Sequence, residues 1–427
     1  MEKVKLKLRD ENGKIYFGWW ILVMSALLGT FAYNGIVSTT GVFLLPVTTA
    51  LGISAGAFSL YISILSVTNI IVLFIISKFM VEKYIKKIML VAAALGVISF
   101  IGFSFSTQIW QFYLWSVPMG FCFSACTMTP CTILVNNWFG PMVRGKAMSF
   151  YMCGMSLIGV PLINILNYVV MTGGYKGGYI FSAAGILICI PIILKCAVWS
   201  PEKKGIKRMG DVDAETEAMN TMNPDDIPGI PFKEGIKKPL TWVALISCTL
   251  LVIVSSGALQ HAIPTMIMAG WTSAAATAIS SIISILLIFS GLVIGIATDK
   301  MGLFATSVIT VLMFALATFC YAFIGEASWL LYPMIAGYIF GVPAVNILSP
   351  LMMGHMFGDK EVGRFIAYVN IFISLGGIFG GLVISMLFDM TGGYKLPWLV
   401  CTAILVVCCI LRALCTRKSV KFVPEKN

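Results

Sequence analysis

Gln260 and His261 stand side by side inside a long apolar run. Isolated polar residues interrupt other apolar runs in the same way: Tyr33 with Asn34, then Tyr151, Asn346 and Asn370. Amides, phenols and an imidazole in apolar surroundings can hydrogen-bond a polar solute, and the imidazole can take up a proton near neutral pH. Each such group also fits a bond between helices, worth about 0.6 kcal/mol in a bilayer, so both readings stay open for each of them. No Asp or Glu lies deep in an apolar run. His261 or a titratable solute is therefore the candidate proton carrier, and His355 is expected near a loop. The twelve cysteines lie mostly in apolar runs without metal-ligand spacing, which fits small packing residues. No metal, cofactor, nucleotide signature or enzymatic activity is expected.

The elements that position these groups follow from composition. Hydrophobic residues make up 59% of the chain and charged residues 11%, with a mean hydropathy of +0.95. Soluble domains carry about 25% charged residues. Runs of about 20 apolar residues suffice to cross a bilayer. They recur here twelve times, near 17–46, 55–77, 88–106, 109–134, 146–170, 178–199, 240–262, 273–297, 303–324, 328–352, 364–388 and 395–415. The expected fold is an all-α membrane protein of twelve transmembrane helices. With both termini cytoplasmic, 27 of the Lys and Arg residues fall on the inner side and only Lys176 and Lys395 on the outer. That bias sets the orientation, and it assigns the net charge of +11 to membrane topology, not to nucleic acid. The basic segment before Phe17 lacks a cleavage site and reads as the lead into a first helix. A multi-pass protein of the plasma or inner membrane is expected, with a monomer as its working unit.

The hexapeptide Met-Thr-Gly-Gly-Tyr-Lys occurs at Met171–Lys176 and again at Met390–Lys395, 219 residues apart. Other landmarks recur at nearly the same offset: Trp138-Phe139-Gly140 with Met356-Phe357-Gly358, Gly145-Lys146 with Gly363-Arg364, Pro46 with Pro264, and Glu82-Lys83 with Asp299-Lys300. A duplication of this kind predicts two pseudo-symmetric six-helix bundles in parallel orientation. The expected organisation is a tail at 1–16, a bundle at 17–199, a cytoplasmic linker at 200–238, a second bundle at 239–415 and a tail at 416–427. The linker is rich in Pro, Gly and charge, a composition that cannot bury a core.

Gly295-Ile-Ala-Thr-Asp299-Lys300-Met-Gly302 follows the eighth span, and the degenerate first copy keeps the acid–base pair Glu82-Lys83. This pattern resembles the inter-helix motif of the major facilitator superfamily. The resemblance gives Glu82, Lys83, Arg144, Asp299, Lys300 and Arg364 a gating role. Phe17-Gly18-Trp19-Trp20, Asn137-Trp138-Phe139 with Arg144-Gly145-Lys146-Ala147, and Asp389-Met-Thr391-Gly392-Gly393-Tyr394 are together similar to the monocarboxylate transporter and oxalate/formate antiporter branch. The resemblance implies secondary or facilitative transport of a small organic solute, a monocarboxylate-like acid, by alternating access. It also implies a cavity lined by helices 1, 4, 7 and 10, which adds Tyr33, Asn34, Gln260, His261 and Asn346 to the solute contacts.

In those families a basic residue in helix 8 holds the anion. Here that place is Gly291, and no Lys or Arg lies between Arg364 and Lys395. An anion would then depend on helix ends and amide donors. The alternatives are export of apolar or drug-like compounds, and a membrane sensor that does not transport. The first would be favoured by membrane-embedded acids, the second by an added signalling domain. The lipid bilayer, the solute and a coupling proton are the expected partners.

Overall fold

In a computed structural model, residues 8–9, 13–76, 79–210, 229–358 and 362–418 are described. They form helices joined by short turns. No strand occurs among them, only isolated bridges. In lipid the backbone must satisfy its own hydrogen bonds, and a helix does so within one segment. The chain therefore folds as the expected all-α protein.

The first helix, α1, is interrupted. It runs Gly18–Leu28, continues as a π-turn over Gly29–Asn34, and resumes at Thr40–Leu51. Then come α2 Ala55–Ile76, α3 Ile85–Phe105 and α4, which is split into Ile109–Cys126 and Met128–Trp138. The stretch Pro141–Cys196 holds α5 and α6, bent apart at Gly174, whose φ is +69°. In the second half α7 is Pro239–Met268. Ser273–Phe323 holds α8 and α9, bent apart at Gly302 with φ +79°. α10 comes in three pieces, Leu331–Gly341, Pro343–Asn346 and Leu348–Phe357, and is followed by α11 Val362–Thr391 and α12 Lys395–Lys418. Large apolar side chains such as Phe74, Phe105, Leu157 and Phe289 stand more than half exposed along these helices, as a surface against lipid requires. The protein is a multi-pass membrane protein.

Compactness divides the chain into Met1–Ile53 with Leu60–Asn220, and Ser54–Ser59 with Thr221–Asn427. In the first unit α3 packs on α4 and on the α5–α6 hairpin, and α1 packs on the same hairpin. Its end near Trp138 is closed by side chains that grip backbone. The Tyr16 hydroxyl donates to the Trp138 carbonyl at 2.7 Å, the Trp138 indole donates to the Val198 carbonyl at 2.8 Å, and the Met209 amide donates to the Tyr16 oxygen at 3.2 Å. In the second unit α7 packs on α11 and α12, and the α8–α9 hairpin packs on α10 and α12. There the Ile230 amide donates to the Phe357 carbonyl at 2.8 Å, and Phe357 stacks on Phe365. The repeated Trp138-Phe139-Gly140 and Met356-Phe357-Gly358 turns thus each receive one end of the linker by backbone pairing. The middle of the linker lies outside the described residues.

The two hexapeptides turn the chain differently. In the first copy the second glycine, Gly174, takes the left-handed backbone; in the second copy it is the first glycine, Gly392, with φ +69°. Their tyrosines also part company. Tyr175 donates to the Ser106 carbonyl at 3.0 Å, whereas the Tyr394 hydroxyl lies 3.0 Å from His261 Nδ1.

Glycines spaced four apart, Gly291 with Gly295, Gly337 with Gly341 and Gly377 with Gly381, suit close helix crossings, and only some of them make one. Gly377 and Gly295 have open space where a Cβ would stand, and Gly291 would meet only the Ile347 side chain at 3.5 Å. On α11 the close approach is made by Gly376 and Gly380, one turn apart, which face the Thr249 and Ile253 carbonyls of α7. Gly337 and Gly341 do lie tight against α9, at the Met313 carbonyl and the Phe314 side chain.

Candidate functional site

In the first unit the candidate residues gather at the break in α1. The cause is local. Thr30 bonds back to the Ala26 carbonyl at 2.8 Å, and Thr39 and Thr40 bond back to the Gly35 and Ile36 carbonyls at 2.7 Å. Such back-bonding loosens and bends a helix, and π-turns concentrate at functional sites. Thr30 and Asn34 both donate to the Met155 carbonyl of α5, at 3.1 and 3.3 Å. The Asn34 side-chain oxygen accepts from Ser38 at 3.2 Å. Tyr33, half-buried, stacks on Phe123 of α4 with ring centroids 5.5 Å apart. Tyr151 is fully buried, and its hydroxyl has no hydrogen-bond partner among the described residues. A Cβ on Gly29 would stand 3.3 Å from that hydroxyl, so Tyr151 faces the π-turn. Nearby in sequence, α4 breaks at Thr127, and Ser124 donates to the Asn69 side chain at 2.6 Å, joining α4 to α2.

In the second unit Gln260 and His261 are buried between α7 and α11. Gln260 reaches Ser256 at 3.5 Å, its carbonyl oxygen has no partner among the described residues, and its amide lies flat on Gly381. The imidazole of His261 is bonded at both nitrogens. Nδ1 meets the Tyr394 hydroxyl, and Nε2 meets the Gly381 carbonyl at 3.2 Å and the Ser385 hydroxyl at 3.0 Å. Ser385 continues to the Ser59 hydroxyl at 2.6 Å, Ser59 belonging to the short segment that clusters with this unit. Ser59, Ser385 and Tyr394 were not singled out by the sequence reading. Only Tyr394 carried a signal, as part of the repeated hexapeptide.

The other candidates are more scattered. Asn346 ends the short middle piece of α10, and its side chain lies outside the described residues. Asn370 is exposed on α11, eleven residues before Gly381, about 16 Å along a helix, so it does not join the His261 group. Of the gating residues, Glu82 pairs with Lys203, and Lys83 lies over the Tyr84 ring at 5.2 Å. Lys300 and Arg364 are exposed. The side chains of Arg144 and Asp299 lie outside the described residues.

Asp389, at the foot of α11, accepts from the Ala55 and Gly56 amides at 3.0 and 2.7 Å. These are orphan donors of the first turn of α2, and a carboxylate there satisfies them and the helix dipole together. A Cβ on Gly56 would come within 2.7 Å of that carboxylate. Asp389→Ala is expected to cost about 1–2 kcal/mol, read as a lowered melting temperature in detergent. Gly56→Ala should reproduce most of the loss by displacing the carboxylate. Unchanged melting in both variants would remove the cap from the account.

The sequence profile of the Major Facilitator Superfamily matches residues 26–354, well over half of the chain. The chain belongs to the major facilitator superfamily. No curated protein matches it. Among solved structures it is similar to a bacterial homolog of the human lysosomal transporter Spinster, at 12% identity and TM-score 0.76, covering 96% of this chain and 99% of that one. It is also similar to the nucleoside transporter NupG, at 15% identity and TM-score 0.71, covering 94% and 99%. A third is a D-xylose-proton symporter, at 14% identity and TM-score 0.65, covering 96% and 98%. At these identities the likeness is one of fold. Within the superfamily fold the Gly174 and Gly302 bends complete the two sets of six helices, and the breaks in α1, α4 and α10 set it apart from a bundle of straight rods.

Proposed function

We propose that this superfamily member is a secondary or facilitative transporter that carries a small organic solute, of the monocarboxylate class, by alternating access. The observation that carries this reading is the α1 break, with the half-buried Tyr33 and the Tyr151 hydroxyl, unbonded among the described residues, beside it. Interrupted helices supply backbone dipoles to a solute at membrane depth, where an unbroken helix cannot. Two similar structures are named for carriers of nucleosides and D-xylose, and a small polar solute is in keeping with them. Tyr33, Asn34 and Tyr151 are the proposed contacts of the first unit, and Gln260 and His261 those of the second. Asn346 and Asn370 are secondary candidates. The proposed gating set is Glu82, Lys83, Arg144, Asp299, Lys300 and Arg364.

The test is uptake and counterflow in liposomes with a panel of labelled small carboxylates and neutral relatives, with and without a pH gradient. Saturable flux of at least one carboxylate is expected, and its absence across the panel sinks the reading. Tyr151→Phe should raise KM about three- to tenfold, the equivalent of one neutral hydrogen bond, without lowering the melting temperature. An unchanged KM would make Tyr151 a packing residue.

A further inference from the structure

Arg412 lies inside α12, not in a tail, and is completely buried. Its guanidinium carries five N–H donors, two on each Nη and one on Nε. The Nη2 group reaches the Ser349 hydroxyl and, at 3.8 Å, the Cys248 sulfur. Nε and Nη1 have no hydrogen-bond partner among the described residues. The ion pairs found among those residues, Lys203–Glu82 and Lys395–Glu326, lie elsewhere. Ser349 in turn is the second residue of Leu348–Phe357, the ten-residue last piece of α10, which begins without a side-chain cap after Ile347. The first amides of a helix are unsatisfied donors and carry its positive dipole end. A guanidinium beside a helix start sets positive against positive, in a place where burial already makes an uncompensated charge costly.

We infer that Arg412 and the opening turn of the last piece of α10 form an anion site for a small carboxylate. Three guanidinium N–H donors and the uncapped helix start lie in one region of the second unit, and the Ser349 hydroxyl between them accepts from Nη2 and donates to the Ala344 carbonyl at 3.5 Å. A carboxylate matches them in two ways. Its single charge offsets the single guanidinium, and its planar oxygens accept from the planar fork. α10 is broken at Val342 and Ile347, beside this region. The site rests on the organic-acid reading above and supplies the fixed cation that Gly291 does not.

The experiment is thermal unfolding of the purified full chain in detergent with sodium formate, acetate or oxalate, against sodium chloride and inorganic phosphate at equal ionic strength. A saturable rise in melting temperature with a carboxylate is expected in the wild type and should vanish in Arg412→Gln. Arg412→Lys keeps a charge but loses the fork, and should bind about tenfold more weakly. It carries the same test should the glutamine variant not fold. No rise in the wild type, an equal rise in a folded variant, or an equal rise with chloride or phosphate overturns the inference. The two proposals fail separately. Carboxylate flux that persists unchanged in Arg412→Lys removes this site and leaves the transport reading. Arg412-dependent binding without flux removes the transport reading and leaves the site.

Discussion

Replacing Gly380 with alanine is expected to unfold or strongly destabilise the second unit, while alanine at Gly377 is expected to stabilise it slightly. A Cβ at Gly380 would stand 2.7 Å from the Ile253 carbonyl and 3.0 Å from the Gly257 amide nitrogen, both backbone atoms of α7. Neither can rotate away as a side chain would, so the two helices must separate. Gly257 faces the Gly380 carbonyl at the same 2.7 Å, which makes the contact reciprocal. Overpacking of this kind costs about 1–3 kcal/mol, occasionally more, and here it also strikes the neighbouring bond between His261 and the Gly381 carbonyl. Gly377 has nothing within 4 Å of a built Cβ, so alanine there only relieves the helix penalty of glycine, about 0.5–1 kcal/mol. Thermal size-exclusion profiles of the two variants should therefore move in opposite directions. If both glycines behave alike, the α7–α11 seam is not backbone-to-backbone.

The contrast shows which parts of the molecule the amino-acid order discloses. Apolar run length and charge bias are global signals, and they gave twelve helices and a membrane protein. The register of a glycine stripe is a local signal. Of Gly376, Gly377, Gly380 and Gly381, only the rotation of α11 about its axis decides that Gly376, Gly380 and Gly381 meet α7 and Gly377 does not. Helix interruption was legible in part: Pro118, Pro130, Pro161, Pro343 and Pro350 lie in apolar runs and are expected to kink them, and α10 does break at Pro343, whereas the α1 break at 29–39 holds no proline. Gly, Thr and Pro at the α1, α4 and α10 breaks are common in membrane helices that stay whole. α7 passes through Pro264 without a break, while α10 breaks at Pro343.

Among candidate contacts, Tyr33, Asn34 and Tyr151 are far apart in sequence and come together because α5 packs along α1. Periodicity alone cannot give that. The burial of Arg412 was hidden for a simple reason. It stands near the end of the last apolar run, where a basic residue ordinarily belongs to the aqueous boundary, and only the packing of α7 and α10 around it reveals burial. The halves also differ where the repeat suggests likeness. By the offset of Pro46 and Pro264, the counterpart of His261 is Phe43, which stacks on Tyr179 at 4.1 Å. The counterpart of Asp389 is Val170. The polar group Ser385, His261 and Tyr394 thus has no like counterpart in the first half.

That group makes the pH dependence of flux the most informative remaining measurement, and His261→Gln is expected to flatten it. The hydrogen-bond network fixes a proton on Nε2. The Gly381 carbonyl can only accept, so Nε2 carries a proton; in the neutral ring Nδ1 then accepts from the Tyr394 hydroxyl, and the Ser385 and Ser59 hydroxyls bond each other in either direction. Among the described residues, the groups hydrogen-bonded to the ring, Tyr394, Gly381 and Ser385, are all neutral. The carboxylate on the same face of α11, Asp389, is held by the Ala55 and Gly56 amides one turn beyond Ser385. Protonation of Nδ1 would reverse the Tyr394 bond, turning that hydroxyl from donor to acceptor, and the tyrosine sits in the turn between α11 and α12. A charge change on His261 is thereby converted into a rearrangement at the end of α11. Tyr394→Phe should keep flux but leave Nδ1 without its donor, costing about 1–3 kcal/mol of stability and shifting the pH profile. A folded, active His261→Gln protein with the wild-type profile would take the imidazole out of the coupling and leave the proton with the solute.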